Sequence, residues 1–98
     1  MSCRIERIAR GNHVILRISG SIQAEHVKTL KELITREQEE MVIDLKNVLL
    51  VNRDAVKLLA LSESNGATLR NCPAYIREWV TRERARSGIN ISKKRGKG

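Results

Sequence analysis

The chain has no phenylalanine, one tryptophan and one tyrosine among its 98 residues, so any core it builds is aliphatic. Cysteine and histidine occur twice each (Cys3, Cys72; His13, His26), with no C-x-x-C pair and no spacing that assembles a zinc ligand set. No disulfide framework and no metal are expected, and both thiols read as reduced, partly buried apolar groups. Long hydrophobic runs are also missing. The longest are Val48-Leu49-Leu50-Val51 and Leu58-Leu59-Ala60-Leu61, far short of the ~20 residues that span a bilayer. No apolar stretch follows Met1 as a secretory signal requires. The expectation is a cytoplasmic protein with no membrane association.

A hydrophobic content of 41% suffices for a globular fold and argues against wholesale disorder. The length suits one small domain, which buries roughly 60–65% of its unfolded surface and leaves oligomerisation open. The net charge of +8 is unevenly placed. Between Arg82 and Gly98 lie seven basic residues and one acid, a charge of +6, which leaves +2 for residues 1–81. We therefore expect a nearly neutral domain over 1–84 and a basic, disordered tail over 85–98. The plain reading of such a tail is a solvated end; the alternative is contact with nucleic acid or an acidic partner.

Hydrophobic spacing divides the chain into alternating elements. A strand is expected from Cys3 to Ala9, a turn at Gly11-Asn12, and a second strand from His13 to Ser19. There Val14, Leu16 and Ile18 alternate with Ile15, Arg17 and Ser19, and Gly20-Ser21 breaks the pattern. Val27, Leu30, Leu33 and Ile34 recur at helical spacing, giving an amphipathic helix from Ala24 to about Glu39. Met41 to Leu45 reads as a short strand buried on both faces. Asn52 suits an N-cap, with Asp54 in the first turn of a helix from Arg53 to Ser64 that buries Val56, Leu58, Leu59 and Leu61. Asn65-Gly66 stops it. A fourth strand follows over Ala67–Asn71. Pro73 then opens a third helix running to about Arg84, with Tyr75, Ile76, Trp79 and Val80 in one stripe. The order β-β-α-β-α-β-α argues an α/β sandwich: a mixed four-stranded sheet flanked by about three helices.

Catalytic chemistry finds little material. His13 begins a strand and His26 lies on a charged helix face, so each reads as solvated or structural rather than as a general base. No dinucleotide fingerprint or P-loop occurs, and no cofactor is expected. Asp44 reads as a carboxylate that accepts backbone N–H groups in the turn after its strand. Tyr75 and Trp79 read as the edge of the core rather than a ligand cage. A non-enzymatic role is expected.

The run Val14-Ile15-Leu16-Arg17-Ile18-Ser19-Gly20-Ser21-Ile22, then a helix, then Met41-Val42-Ile43-Asp44-Leu45-Lys46-Asn47-Val48, then a helix start at Asn52, resembles the STAS domain over about residues 3–84. That is the family of bacterial anti-sigma factor antagonists. The resemblance also includes Asn65-Gly66-Ala67-Thr68-Leu69 before the fourth strand. It implies an exposed partner surface formed by Ser21 and Gln23 after the second strand, together with Asn52, Arg53, Asp54 and Ala55. It also implies a phosphoacceptor serine where this chain carries Arg53, which has no hydroxyl to phosphorylate. Asp54 beside it falls one residue too late to imitate a phosphate, and Ala55 replaces a glycine. For Asn52 and Asp54 the plain alternative is helix capping alone, and Ser21 is a second candidate for phosphorylation.

The function implied is a regulatory protein–protein interaction module, whose partner is an anti-sigma factor or a kinase-like regulator and which is not switched at the usual serine. The alternatives are a self-associating scaffold, a nucleic-acid adaptor working through the tail, and a small-ligand or nucleotide sensor.

Overall fold

The computed structural model describes residues 3–37 and 40–87. Its elements are β1 (Cys3–Arg10), β2 (His13–Ile22), α1 (Ala24–Arg36), β3 (Glu40–Val51), α2 (Arg53–Ser64), β4 (Thr68–Arg70) and α3 (Ala74–Ser87). The strands form one mixed sheet in the order β1-β2-β3-β4, with β1 antiparallel to β2 and the other pairs parallel. The expected fold class is the one observed.

Both parallel connections step the same way across the sheet. Right-handed crossovers therefore bring α1 and α2 to the same face. Val14, Leu16, Ile18, Met41, Ile43 and Leu45 pack on that face with Leu30 of α1, Val56 and Leu59 of α2, and Ile76 and Val80 of α3. Every one of these side chains is aliphatic or methionine, as the lack of phenylalanine requires. Ile8, Ile15 and Val42, which alternate with them, lie outside this cluster, Ile15 buried at 7% exposure and the other two half-buried. Among the described residues no helix covers their face. The expectation that Met41–Leu45 is buried on both faces is largely met, Asp44 being 6% exposed and Val42 half-buried, but the second face is shielded without a helix packed on it.

The principal departure from the sequence reading is the length of β3. Expected to end at Leu45, it continues to Val51 because two irregularities in its pairing with β2 carry it onward. Arg17 pairs with Asp44 but Ser19 with Asn47; Gly20 pairs with Val48 but Ser21 with Leu50. At each step β3 spends one extra residue, the signature of a β-bulge. Its core-facing residues are consequently Met41, Ile43 and Leu45, then Val48, then Val51. The spacing changes from two to three, and simple alternation ends where the strand does not. On β2, Gly20 adopts φ +89°, which an L side chain rarely tolerates, and the strand runs through the expected break to Ile22.

Other corrections are smaller. Helix α1 ends at Arg36, with Glu37 as its C-cap; the rest of its expected length, 38–39, lies outside the described residues. Leu61, expected in the core, is 45% exposed, and Tyr75 is 49% exposed. Helix α3 extends to Ser87, and the expected tail beyond it lies outside the described residues.

Helices α2 and α3 are fastened by a carboxylate held between two guanidinium groups. Arg77 donates from Nη1 and Nη2 to the two Glu63 oxygens, each at 2.7 Å, and Arg84 Nη1 donates to Oε1 at 2.9 Å. The Arg77 hydrogen bonds hold the Glu63 carboxyl below its ordinary value, against a smaller opposing effect of burial. A carboxyl depressed in the folded state stabilises the fold above its unfolded pKa, near 4.5, and that contribution is lost as pH falls through the lower folded value. Urea denaturation between pH 7 and about pH 3 is expected to show stability declining below about pH 4.5. The Glu63→Gln variant, already less stable at pH 7, shows a shallower acid decline.

Candidate functional site

The residues of interest gather where β2 and β3 end and α2 begins. The Asn52 N–H donates to the Ile22 carbonyl at 3.1 Å, tying the helix start to the end of β2. Asn52 then caps the helix: its Oδ1 accepts from the Ala55 N–H at 2.8 Å, in extended backbone geometry. Val51 precedes the cap and Val56 lies in the next turn; both belong to the core, at the spacing of a hydrophobic staple. Capping is thus a demonstrated role for Asn52. Arg53 and Asp54 are exposed in the first turn, where the carboxylate complements the positive end of the helix dipole.

Two of the six residues expected at a partner surface are not available to one. Ser21 is 1% exposed, so its hydroxyl does not reach the surface, either to touch a partner or to accept a phosphate. Its place in β2, opposite Leu50, rather than in a loop is the reason. Ala55 is fully buried beneath the helix. Gln23, Arg53 and Asp54 are exposed, and Asn52 is half-buried. Gln23 also begins α1, its N–H donating to His26 Nδ1 at 3.1 Å. This gives His26 the structural role expected of it.

The sequence reading missed Leu49 and Leu50, which are 62% and 57% exposed. The second bulge displaces Leu49 from the ladder, and its carbonyl accepts the Tyr75 hydroxyl of α3 instead. Tyr75 therefore joins this end of the molecule rather than the core. The result is an apolar patch of Leu49, Leu50 and Tyr75 close to Arg53 and Asp54. The signal was present in the apolar run Val48–Val51, which lies directly before an N-cap.

Asp44 lies lower on β3 and acts within the strand. Burial raises its pKa, but the Lys46 N–H at 3.0 Å, the Asn71 amide at 3.3 Å, and the charges of Arg17 and Arg70 outweigh it and leave the carboxyl below its ordinary value. The expected bond to a following backbone N–H is therefore present. It stabilises the first bulge rather than a turn. At the opposite end of the molecule, a groove of about 590 Å³ lies between α1, α2 and the start of β3, lined by Ile34, Met41, Leu58, Leu61 and Ala67. Among the described residues no cluster of three potential metal ligands occurs, and no helix is long and apolar enough to cross a membrane. The cysteines are free and half-buried.

No family model matches the sequence, and no curated protein matches it. Solved structures do. An anti-sigma factor antagonist from Mycobacterium paratuberculosis is 18% identical over 96% of this chain and 85% of its own, with a TM-score of 0.64. The anti-sigma factor antagonist SpoIIAA in its unphosphorylated form is 16% identical over 79% of each chain, with a TM-score of 0.59. An antisigma-factor antagonist STAS domain from Rhodobacter sphaeroides is 17% identical over 69% of this chain and 83% of its own, with a TM-score of 0.53. The chain also spans 19% of the length of Mglu, at a TM-score of 0.58. The fold is that of the STAS domain, as the sequence pattern implied.

The cap sets a test of its own. Asn52→Ala is expected to lower stability by about 1 kcal/mol, and Asp54→Asn by a few tenths. Both are read from urea midpoints at neutral pH.

Proposed function

We propose that this chain is a non-catalytic regulatory module that binds a protein partner, in the manner of an anti-sigma factor antagonist, through the start of α2. The observation that carries this reading is the exposure of Leu49 and Leu50 beside Arg53 and Asp54. Two adjacent leucines held out of a core that has ample aliphatic partners are poorly explained by the fold. Exposed apolar side chains rimmed by polar ones are the usual make-up of a docking surface. Burying each on binding is worth about 1.5–3 kcal/mol, enough to make them anchors. Gln23, Arg53 and Asp54 form the rim. Arg53 offers a fixed positive charge to a carboxylate on the partner. The partner is an anti-sigma factor or kinase-like regulator, and binding is not switched by phosphate at position 53.

The test is binding of such a regulator, encoded near this chain, by the full chain and by a form ending at Ser87. Both are expected to bind alike. Leu50→Asp weakens binding at least tenfold, whereas Leu61→Asp, at the remote groove, leaves it unchanged. Arg53→Ser becomes a kinase substrate. If only the full chain binds anything, and that is nucleic acid with steep salt dependence, the basic tail is the functional part. Equal binding by the Leu50→Asp variant removes the proposed surface.

A further inference from the structure

The face of the sheet opposite the helices carries two rows of side chains that cross all four strands. One is Ile8, Ile15, Val42 and Thr68; the other is Glu6, Arg17, Asp44 and Arg70. The second row alternates in charge from edge to edge: negative, positive, negative, positive. Its inner pair is in contact, Arg17 Nε lying 3.9 Å from Asp44 Oδ2. Glu6 and Arg17 keep nearly half of their side-chain surface in solvent and Arg70 is exposed, whereas Asp44 is buried and Glu6 also pairs with Arg4 of its own strand at 3.6 Å.

An alternating row of even length is self-complementary under one symmetry operation. A two-fold axis running along the strands, between β2 and β3 and in the plane of contact, lays β1 of one copy over β4 of the other. Glu6 then faces Arg70 of the second copy, a pair that occurs twice, while the inner Arg17–Asp44 pair, its carboxylate only 6% exposed, stays closed within each copy. The neighbouring row lays Ile8 over Thr68 and Ile15 over Val42, so apolar groups meet apolar groups or a threonine. Turning the axis across the strands instead places Glu6 on Glu6 and Arg17 on Arg17. The charges therefore select one orientation and reject the other.

We infer that this face associates with a second copy of the chain, sheet on sheet, about the axis that runs along the strands. Aligned packing of twisted sheets is an established geometry. The small, polar face limits the contact to the low end of interface sizes, below about 1,200 Å² in total, so the dimer is weak and concentration-dependent. The contact lies on the sheet face away from the helices. It does not depend on the surface at the start of α2.

The experiment is sedimentation of the intact chain from about 10 µM to about 1 mM, at low and high salt. A monomer–dimer equilibrium that weakens as salt rises is expected. Glu6→Arg and Arg70→Glu alone each set two like-charged pairs face to face and weaken self-association roughly tenfold. Mixing the two variants restores it, because the reversed charges meet each other at one end of the contact and the native pair meets at the other. Both side chains project from the surface, and unchanged thermal melts establish that each variant is folded. A strict monomer throughout, a dimer indifferent to both reversals, or a mixture no tighter than the single variants overturns the inference.

Discussion

The pairing of β3 with β2 is the constraint on which the rest of this molecule depends. It is the longest pairing in the sheet, it brings the two parallel crossovers together, and it carries both bulges. A regular strand of twelve residues would present six side chains to each face. Here the core-facing set is five, and the two skipped steps turn Lys46-Asn47 and then Leu49-Leu50 outward in pairs. Each bulge has a specific partner that satisfies the backbone it frees. The Asp44 carboxylate takes the Lys46 N–H at the first, and the Tyr75 hydroxyl meets the Leu49 carbonyl at the second. Bulges beside functional sites serve to re-aim side chains, and these two convert the end of a core strand into an exposed apolar patch.

The second bulge also explains why α3 matters to a site that it does not itself build. Tyr75 reaches Leu49 from the first turn of α3, and the position of that turn is fixed by the Glu63–Arg77 clamp to α2. Helix α2 in turn starts at the Asn52 cap, bonded to the end of β2. The patch is therefore closed by a ring of contacts that runs β2, α2, α3, β3. Its geometry is held by hydrogen bonds to backbone at two corners and by a charged fork at a third, and none of these needs an aromatic core.

Most of the architecture was legible because it follows from periodicities. Val14, Leu16 and Ile18 announce a strand with one buried face, and Leu58, Leu59 and the Asn52 cap announce a helix and its start. The family resemblance pointed correctly to the fold. What could not be read was the effect of an irregularity on register. Nothing in Leu45-Lys46-Asn47-Val48 distinguishes a strand that ends from a strand that bulges and continues, since both break the two-residue alternation. The error propagated: with β3 ended at Leu45, Leu49 and Leu50 had no strand to project from. Ser21 likewise falls beyond the expected end of β2, whereas its place within the observed strand buries it. The second face of β3 departs from the usual central parallel strand in its covering layer and not in its burial. An apolar run is compatible with one covered face when the intervening residues, here Val42 and Asp44, are shielded by their neighbours within the sheet.

Arg53 is the residue that the fold itself least requires. It occupies the first turn of α2, where the unpaired N–H groups and the helix dipole favour negative charge, and a cation there costs about 0.3–1 kcal/mol at an exposed position. Asp54 recovers part of this, and Asn52 satisfies one N–H, but neither needs an arginine between them. Stability alone would favour serine, glutamate or aspartate. The resemblance implies a site that in relatives alternates between a neutral hydroxyl and a doubly charged phosphate; a guanidinium removes that alternation and sets one permanent charge of the opposite sign. A partner adapted to such a surface would present a carboxylate beside its apolar ridge, where the Arg53 fork can take both oxygens. Under the proposed function the same group would repel a partner that presents a cation there, so Arg53 would serve discrimination as well as affinity. That dual effect is one that neither a cap nor a solvated surface charge supplies.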